Sequence, residues 1–525
     1  MVCCFSLTTT RTMHRKQFFT AIFIFAAVFI FQLIIAPKDG SFSSFDSGNY
    51  CLAFEDYNIE LANPHLPGYF LYVNLLKQVN QITNSYYYSI LLFSILSYFL
   101  GNIFLYLSFK RFLPQTESIL FTLIITLNSL FLYWSSITEN YAFDVFFASV
   151  ILYLASNRKT ILFMFPLACF LAGFRLTSLI LLGPMMLYAL YKYIKETQKT
   201  LPVILSIFSG LIIFLAWFVP MANTTGGVIE YINLYTSSGP VPTINRPGSL
   251  NVFFRNMTSF VSNAVYYFIP SFLTLVFVIF KKKSEVKKIS SGKSELVLMF
   301  WIFIPQLLVY TLIHYSKAYL MLAPYGAILL TLILYSKNII GIRFLYFLVI
   351  FQLIFFFVMP HKVPDDSTYF NHASRRISQP AVVWDRTISH YSMSYGHLRY
   401  FETLNDDAVA ALDKAKSLGV RKIYSDPCVD ISHRVLQYKY PKMEFLRVID
   451  FDSDKYYHYS GTKQRIDSGF SWLDDYAVLS TTTFTNDELI KYSTIAYEGP
   501  ILTLSVPHTG MRDSVYRVLR KFYDR

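Results

Sequence analysis

Charge is scarce in this chain. Only 15% of its 525 residues are Asp, Glu, Lys or Arg, against 54% hydrophobic, and the mean hydropathy is +0.40. That leaves too little polar surface to coat a soluble globule of this size, so the excess apolar area must face lipid. Cysteine is rare too. Cys3, Cys4, Cys51, Cys169 and Cys428 show no CxxC or His/Cys ligand spacing, which argues against both a disulfide framework and a zinc site. No G-x-G-x-x-G or Walker-like loop follows a strand pattern, so a soluble nucleotide sugar is a poor candidate ligand. Internal repeats and low-complexity segments are also missing.

What the chain has is aromatic residues, 50 Phe and 40 Tyr, and long apolar runs. Its net charge of +13 would suit nucleic acid, but the basic residues sit in short segments between apolar runs, where the positive-inside rule expects them. The charge is therefore read as topology, with no nucleic-acid partner. About 20 apolar residues cross a bilayer, and that ruler marks roughly eleven spans, near 18–36, 87–108, 117–134, 140–156, 160–174, 176–191, 201–220, 258–280, 295–314, 318–336 and 342–360. The first run is too long for a signal peptide core and lacks an A-x-A-like exit, so it is read as an uncleaved span. Basic groups at Arg11/Arg15/Lys16, Lys110/Arg111, Arg158/Lys159, Lys192/Lys195/Lys199, 281–293 and Lys337/Arg343 fall on one side, the cytoplasm. Segment 37–86, the first outer loop, and residues 361–525 then fall on the other.

The tail differs in kind. AVVW (381–384), KIYSD (422–426) and ILTLSV (501–506) read as buried strands, and DDAVAALDKAKSLG (406–419) as a helix with a Gly stop. The expected architecture is a polytopic α-helical membrane protein, about 11 transmembrane helices over 1–360, with a C-terminal extracytoplasmic α/β domain over 361–525.

The first outer loop carries FDSGNYCLAFEDYNIELANPHLPGYFLYV (45–73), with Asp46, Glu55 and Asp56 ahead of a Pro64-to-Tyr69 turn. Prolines fix φ and Gly68 allows close backbone approach, so the turn can hold His65 in one place. The same stretch also reads as an amphipathic interfacial helix with its acids in water.

An Asp after the first span, a short interfacial helix and PHxPGY resemble the first outer loop of GT-C-class integral membrane glycosyltransferases, the protein mannosyltransferase and aminoarabinose transferase-like group. GFRLTSLILLGPMM (173–186), WFVPMANTTGGVIEYI (217–232) and KAYLMLAPYGAILL (317–330) are similar to later segments of that group, in the same order. Leu66-Pro67-Gly68 stands where members often have Pro-Pro-Gly, and Leu176 where Gln or Asn commonly follows the Arg. The tail resembles no family.

The resemblance implies transfer of a sugar from a polyprenyl-phosphate donor to a glycan, lipid or protein acceptor hydroxyl, inverting, outside the cytoplasm. It also implies Asp46 as the base. Such transfer needs a proton acceptor and cations for the departing phosphate. Arg175, with Lys317 and His314 on the same face, are the phosphate candidates, although a guanidinium at a span end can instead snorkel to lipid headgroups. His65, Tyr69, Glu139, Asp144, Glu55 and Asp56 are the substrate-binding candidates. Glu139 and Asp144 could orient the acceptor or hold a divalent cation, or simply be solvated. Metal dependence stays open, and Arg246 and Arg255 are weaker cation candidates. A bacterial inner membrane is the expected compartment, although an archaeal membrane or the endoplasmic reticulum obeys the same charge rule. The rivals are a transporter or lipid flippase and a non-catalytic scaffold. A transporter predicts ionisable residues at mid-membrane and paired halves, and the spans show few of the first and no likeness between halves.

Overall fold

The computed structural model describes residues 2–42, 45–238, 294–312, 324–336, 339–358, 394–425, 431–450, 455–460, 463–467, 475–481 and 487–523. A long first helix, α1 (Val2–Ile35), leads to α2 (Phe45–Glu55) and α3 (Phe70–Thr83), after which α4 (Tyr86–Phe109) re-enters the apolar bundle. Ser85 starts α4 by accepting the Tyr88 N–H, satisfying a donor that the first turn cannot pair internally. Next come α5 (Gln115–Thr126), α6 (Ser129–Ser135), α7 (Ala142–Ala155), α8 (Met164–Leu171), α9 (Leu176–Thr197), α10 (Leu201–Asn223) and α11 (Val228–Ser238). Three further helices, α12 (Ser294–Leu312), α13 (Pro324–Ser336) and α14 (Ile342–Val358), complete the helical part of the described chain.

Among the described residues, four helices are long and apolar enough to cross a membrane: Phe18–Ile35 within α1, α4, α9 and α10. Treating α5 and α6 as one broken span makes five. The stretch expected as one straight span at 117–134 bends by 67° between them. Asn128 makes the break by accepting the Leu130 N–H and starting α6 afresh. The runs expected at 140–156 and 160–174 are short helices, and the one at 258–280 lies outside the described residues. Along α10, Ile204, Phe208 and Ile212 recur every four residues at 60%, 60% and 54% exposure. A stripe of that size left uncovered by the described residues suits a lipid-facing surface, and the chain is an integral membrane protein.

The C-terminal part opens with α15 (Tyr395–Ser417), started by Ser394 and ended before Gly419 at φ +75°. It continues through β1 (Lys422–Ser425), α16 (His433–Lys439), β2 (Glu444–Asp450), β3 (Lys455–Ser460), β4 (Lys463–Asp467), β5 (Tyr476–Thr481), α17 (Asp487–Tyr492), β6 (Ser493–Glu498), β7 (Leu502–Pro507) and α18 (Arg512–Tyr523). The strands form one mixed seven-stranded sheet, β4-β3-β2-β1-β5-β7-β6, with β1 parallel to β2 and β5. KIYSD and ILTLSV are thus strands and 406–419 is helical, as their periodicity suggests, while 381–384 lies outside the described residues.

This part is bound tightly to the helical end. Arg399 of α15 donates to the Ile35 and Ala36 carbonyls at 2.5 and 3.1 Å, where a cation also suits the negative end of α1. Glu402 accepts the Lys38 N–H at 2.8 Å, and Asn405 donates to the Phe42 carbonyl at 3.0 Å. Apolar contacts run without interruption from Ile35 through α4 and α7 to Val435 and Leu504.

Candidate active site

Asp46 stands in the first turn of α2, where a negative charge is favoured by the helix dipole. Its side chain is 21% exposed, so it keeps a face toward solvent. Two groups hold it. Tyr141, just ahead of α7, donates its hydroxyl to Oδ2 at 2.6 Å, and His65 Nε2 lies 3.4 Å from Oδ1.

His65 is fixed by its turn. Tyr57 donates to the Gly68 carbonyl at 2.6 Å, Tyr231 of α11 to the Pro67 carbonyl at 3.0 Å, and the His65 carbonyl accepts the Gly68 N–H. Gly68 has φ +105°, and a Cβ there would stand 2.8 Å from Met221 Sδ. Only glycine fits that backbone and that gap. The imidazole is packed beside the rings of Tyr50 and Tyr69. Burial pushes its pKa below the ordinary value, with Asp46 opposing and Arg175 and Arg434 reinforcing. Tyr141 and His65 are thus neutral partners of Asp46, and a carboxylate has about four lone-pair sites. It can accept the Tyr141 hydrogen bond with His65 Nε2 3.4 Å away and also receive a proton from an acceptor hydroxyl.

Behind Asp46 lies Glu139, fully buried, which accepts from Ser47 Oγ at 3.2 Å. Burial first, and then the Asp46 charge, push its carboxyl well above the usual range, against the opposing effects of Ser47 and Arg175.

Asp144 and Arg175 form a separate arrangement. Arg175 Nε lies 2.7 Å from Asp144 Oδ1, with side-chain exposures of 1% and 4%. Ser178 donates to the same Asp144 oxygen, and Asn140 accepts from the guanidinium. Arg175 also stacks 4.4 Å over the Tyr141 ring. Tyr141 thus touches the ion pair with its face and Asp46 with its hydroxyl.

The candidates from the sequence divide accordingly. Asp46, His65, Tyr69, Glu139, Asp144 and Arg175 are brought to one end of the bundle. Glu139 and Asp144 turn to different partners, Ser47 and Arg175. Glu55 and Asp56 sit at the far end of α2, about 14 Å along its axis at 1.5 Å per residue, where Glu55 accepts from Tyr86. Lys317, His314, Arg246 and Arg255 lie outside the described residues. Among the described residues no group of three or more His, Cys, Asp or Glu is placed to hold a metal.

Three participants escape a sequence reading: Tyr141, Asn49 and Arg434. Arg434 of α16 is completely buried beneath the outer loop. It donates to Asn49 Oδ1 at 2.7 Å, to the Leu61 carbonyl at 3.1 Å, to Gln437 Oε1 at 3.0 Å and to Asn63. Gly48 makes room for it, since a Cβ there would stand 2.6 Å from the Arg434 carbonyl carbon.

The whole structure is similar to two crystal structures of ArnT from Cupriavidus metallidurans, one bound to undecaprenyl phosphate and one in the apo state. The TM-scores are 0.57 and 0.56, and each alignment covers 94% of this chain and 98% of that one. The fold is that of ArnT. Sequence identity is 11% and 12%, so what is shared is architecture. ArnT is an aminoarabinose transferase of the GT-C class, and the likeness in fold agrees with the resemblance seen in the motifs. No family model and no curated protein sequence matches the chain.

Proposed function

We propose that this protein is a glycosyltransferase that moves a sugar from a polyprenyl phosphate to an acceptor hydroxyl on the non-cytoplasmic side of a bacterial inner membrane. The observation that carries the reading is Asp46, partly exposed between the Tyr141 hydroxyl and neutral His65 at one end of an ArnT-like bundle. In the reaction, Asp46 takes the acceptor's hydroxyl proton as that oxygen bonds to the anomeric carbon. The bond from that carbon to the phosphate oxygen breaks, and its electron pair leaves with polyprenyl phosphate. One displacement of this kind inverts the anomeric centre and needs one carboxylate base. His65 and Tyr69 line the acceptor side, with Glu139 and Asp144 behind them.

For the leaving phosphate we assign Arg175 and Lys317. Arg175 already has Asp144 as its partner, so gripping a phosphate requires it to share or exchange that contact. The polyprenyl chain then lies along the lipid-facing helices. In this reading the chain crosses the membrane eleven times over residues 1–360, keeps its N-terminus in the cytoplasm, and holds residues 361–525 outside as an α/β domain.

The deciding experiment is transfer from a panel of radiolabelled polyprenyl-phosphate sugars by the purified protein in lipid nanodiscs, with Asp46→Asn alongside. Turnover that the variant loses supports the class and the base together. Turnover that the variant keeps removes Asp46 from the role. Silence from folded protein across the panel shifts weight to transport.

A further inference from the structure

The side chains Arg434, Asn49, His65 and Asp46 form a file that starts in the C-terminal sheet region and ends at the candidate base. A guanidinium has donors only. Its 2.7 Å contact therefore identifies the Asn49 atom it meets as the amide oxygen. The Asn49 amide nitrogen must then be the atom 3.4 Å from His65 Nδ1. That nitrogen is also only a donor, so Nδ1 has to accept. In a neutral imidazole the proton is then on Nε2, the atom facing Asp46 Oδ1 at 3.4 Å.

We propose that Arg434 is a positioning residue for Asp46: by orienting the Asn49 amide it sets the His65 tautomer and presents an N–H to the carboxylate. The inference rests on the reading of Asp46 as the base only for its effect on turnover. The tautomer itself follows from donors and acceptors. Arg434 has the means to do this. It is wholly buried and is held by Gln437, the Leu61 carbonyl and Asn63 besides Asn49. With Arg434 gone the Asn49 amide is free to flip, and its oxygen would then call the His65 proton to Nδ1. A bare Nε2 lone pair would face Asp46 and repel it. Among the described residues, the charged and titratable groups around the imidazole are Asp46, Tyr50, Tyr69, Arg175 and Arg434.

The test is nitrogen NMR of the full chain in nanodiscs with ¹⁵N-labelled histidine, the His65 signals being identified by their loss in His65→Gln. Wild type should show a neutral ring protonated at Nε2 near pH 7. Arg434→Gln should give mixed tautomers, with turnover on the active polyprenyl-phosphate sugar down about 10- to 100-fold, by analogy with the loss of an outer partner that orients a metal-ligating histidine. The loss should fall on kcat rather than KM, and Arg434→Lys should recover part of it. Asn49→Asp, which keeps an acceptor for Arg434 but places an oxygen at Nδ1, should move the proton to Nδ1 and raise the His65 titration midpoint. Should Arg434→Gln not fold, Asn49→Asp decides alone. An unchanged Nε2–H signal in either folded variant overturns the proposal. A tautomer change in protein whose turnover survives Asp46→Asn leaves the file standing and removes the base, so the two readings fail separately.

Discussion

Asp46 and Asp144 lie at the same end of the bundle and are linked through one tyrosine, yet they are in opposite situations. Among the described contacts Asp46 is partly open and touches a phenol and a neutral imidazole, whereas Asp144 is closed off and bound to a guanidinium. A carboxylate between neutral donors can still gain a proton. One locked to a buried arginine can do so only by stranding that charge, which is costly. Proximity to a site therefore does not choose between the acids. The charge on the partner does.

The largest test of this contrast is at Asp46 itself. Asp46→Asn should lower kcat by about 10²- to 10⁴-fold, the usual contribution of a general base, with little change in the thermal unfolding midpoint. Asp144→Asn should behave in the reverse sense, with instability first. Breaking a buried pair costs about 3–5 kcal/mol, read as a lower unfolding midpoint, and Asp144→Asn/Arg175→Gln should recover part of it. Equal activity losses with normal stability in both single variants would erase the distinction. Tyr141→Phe is gentler, since the ring stays beneath Arg175 while the hydroxyl to Asp46 goes. Loss of a hydrogen bond to a charged group, about 1.5–3 kcal/mol, should appear as a modest fall in the unfolding midpoint, smaller than that of Asp144→Asn, together with a reduced kcat.

The smallest effect sharpens the comparison from the cationic side. Arg175 has a carboxylate, whereas Lys439 of α16, mostly buried, gives its ammonium to the Asn405 amide oxygen at 3.1 Å. Burial lowers its pKa from 10.5 to about 8, more strongly than Asp406, Cys51 and Asp39 raise it. Because the folded value lies below the unfolded one, the unfolded chain binds more protons between the two, so Lys439 adds stability as pH rises from about 8 to 10.5 and withdraws it on the way down. Lys439→Met should therefore stabilise the protein most at neutral pH, with the gain shrinking toward pH 10.5 in parallel melting curves. A constant difference at all pH values would refute the buried, neutralisable lysine.

Much of this was legible in the sequence. The spans α1, α4, α9 and α10 are long uninterrupted apolar runs, and the Pro64-to-Tyr69 turn announced His65 by its fixed backbone. The 67° bend was hidden because a single Asn128 interrupts an otherwise continuous apolar stretch. Glu139 and Asp144 were visible as acids at a span end, but not their partners, since residues in different elements share no local period. Arg434 was beyond reach: HRVLQYK reads as an ordinary short helix, and its partner Asn49 is 385 residues away.

That separation also sets a timetable. A ribosome adding about 5–20 residues per second needs roughly 20–80 s to cover the 385 residues between Asn49 and Arg434. During that interval α1 is already in the bilayer while Arg399 and Arg434 are still to be made. A newborn chain thus carries its candidate base long before the side chains that seat it, and premature termination ahead of Arg434 yields an inserted protein with an unseated centre.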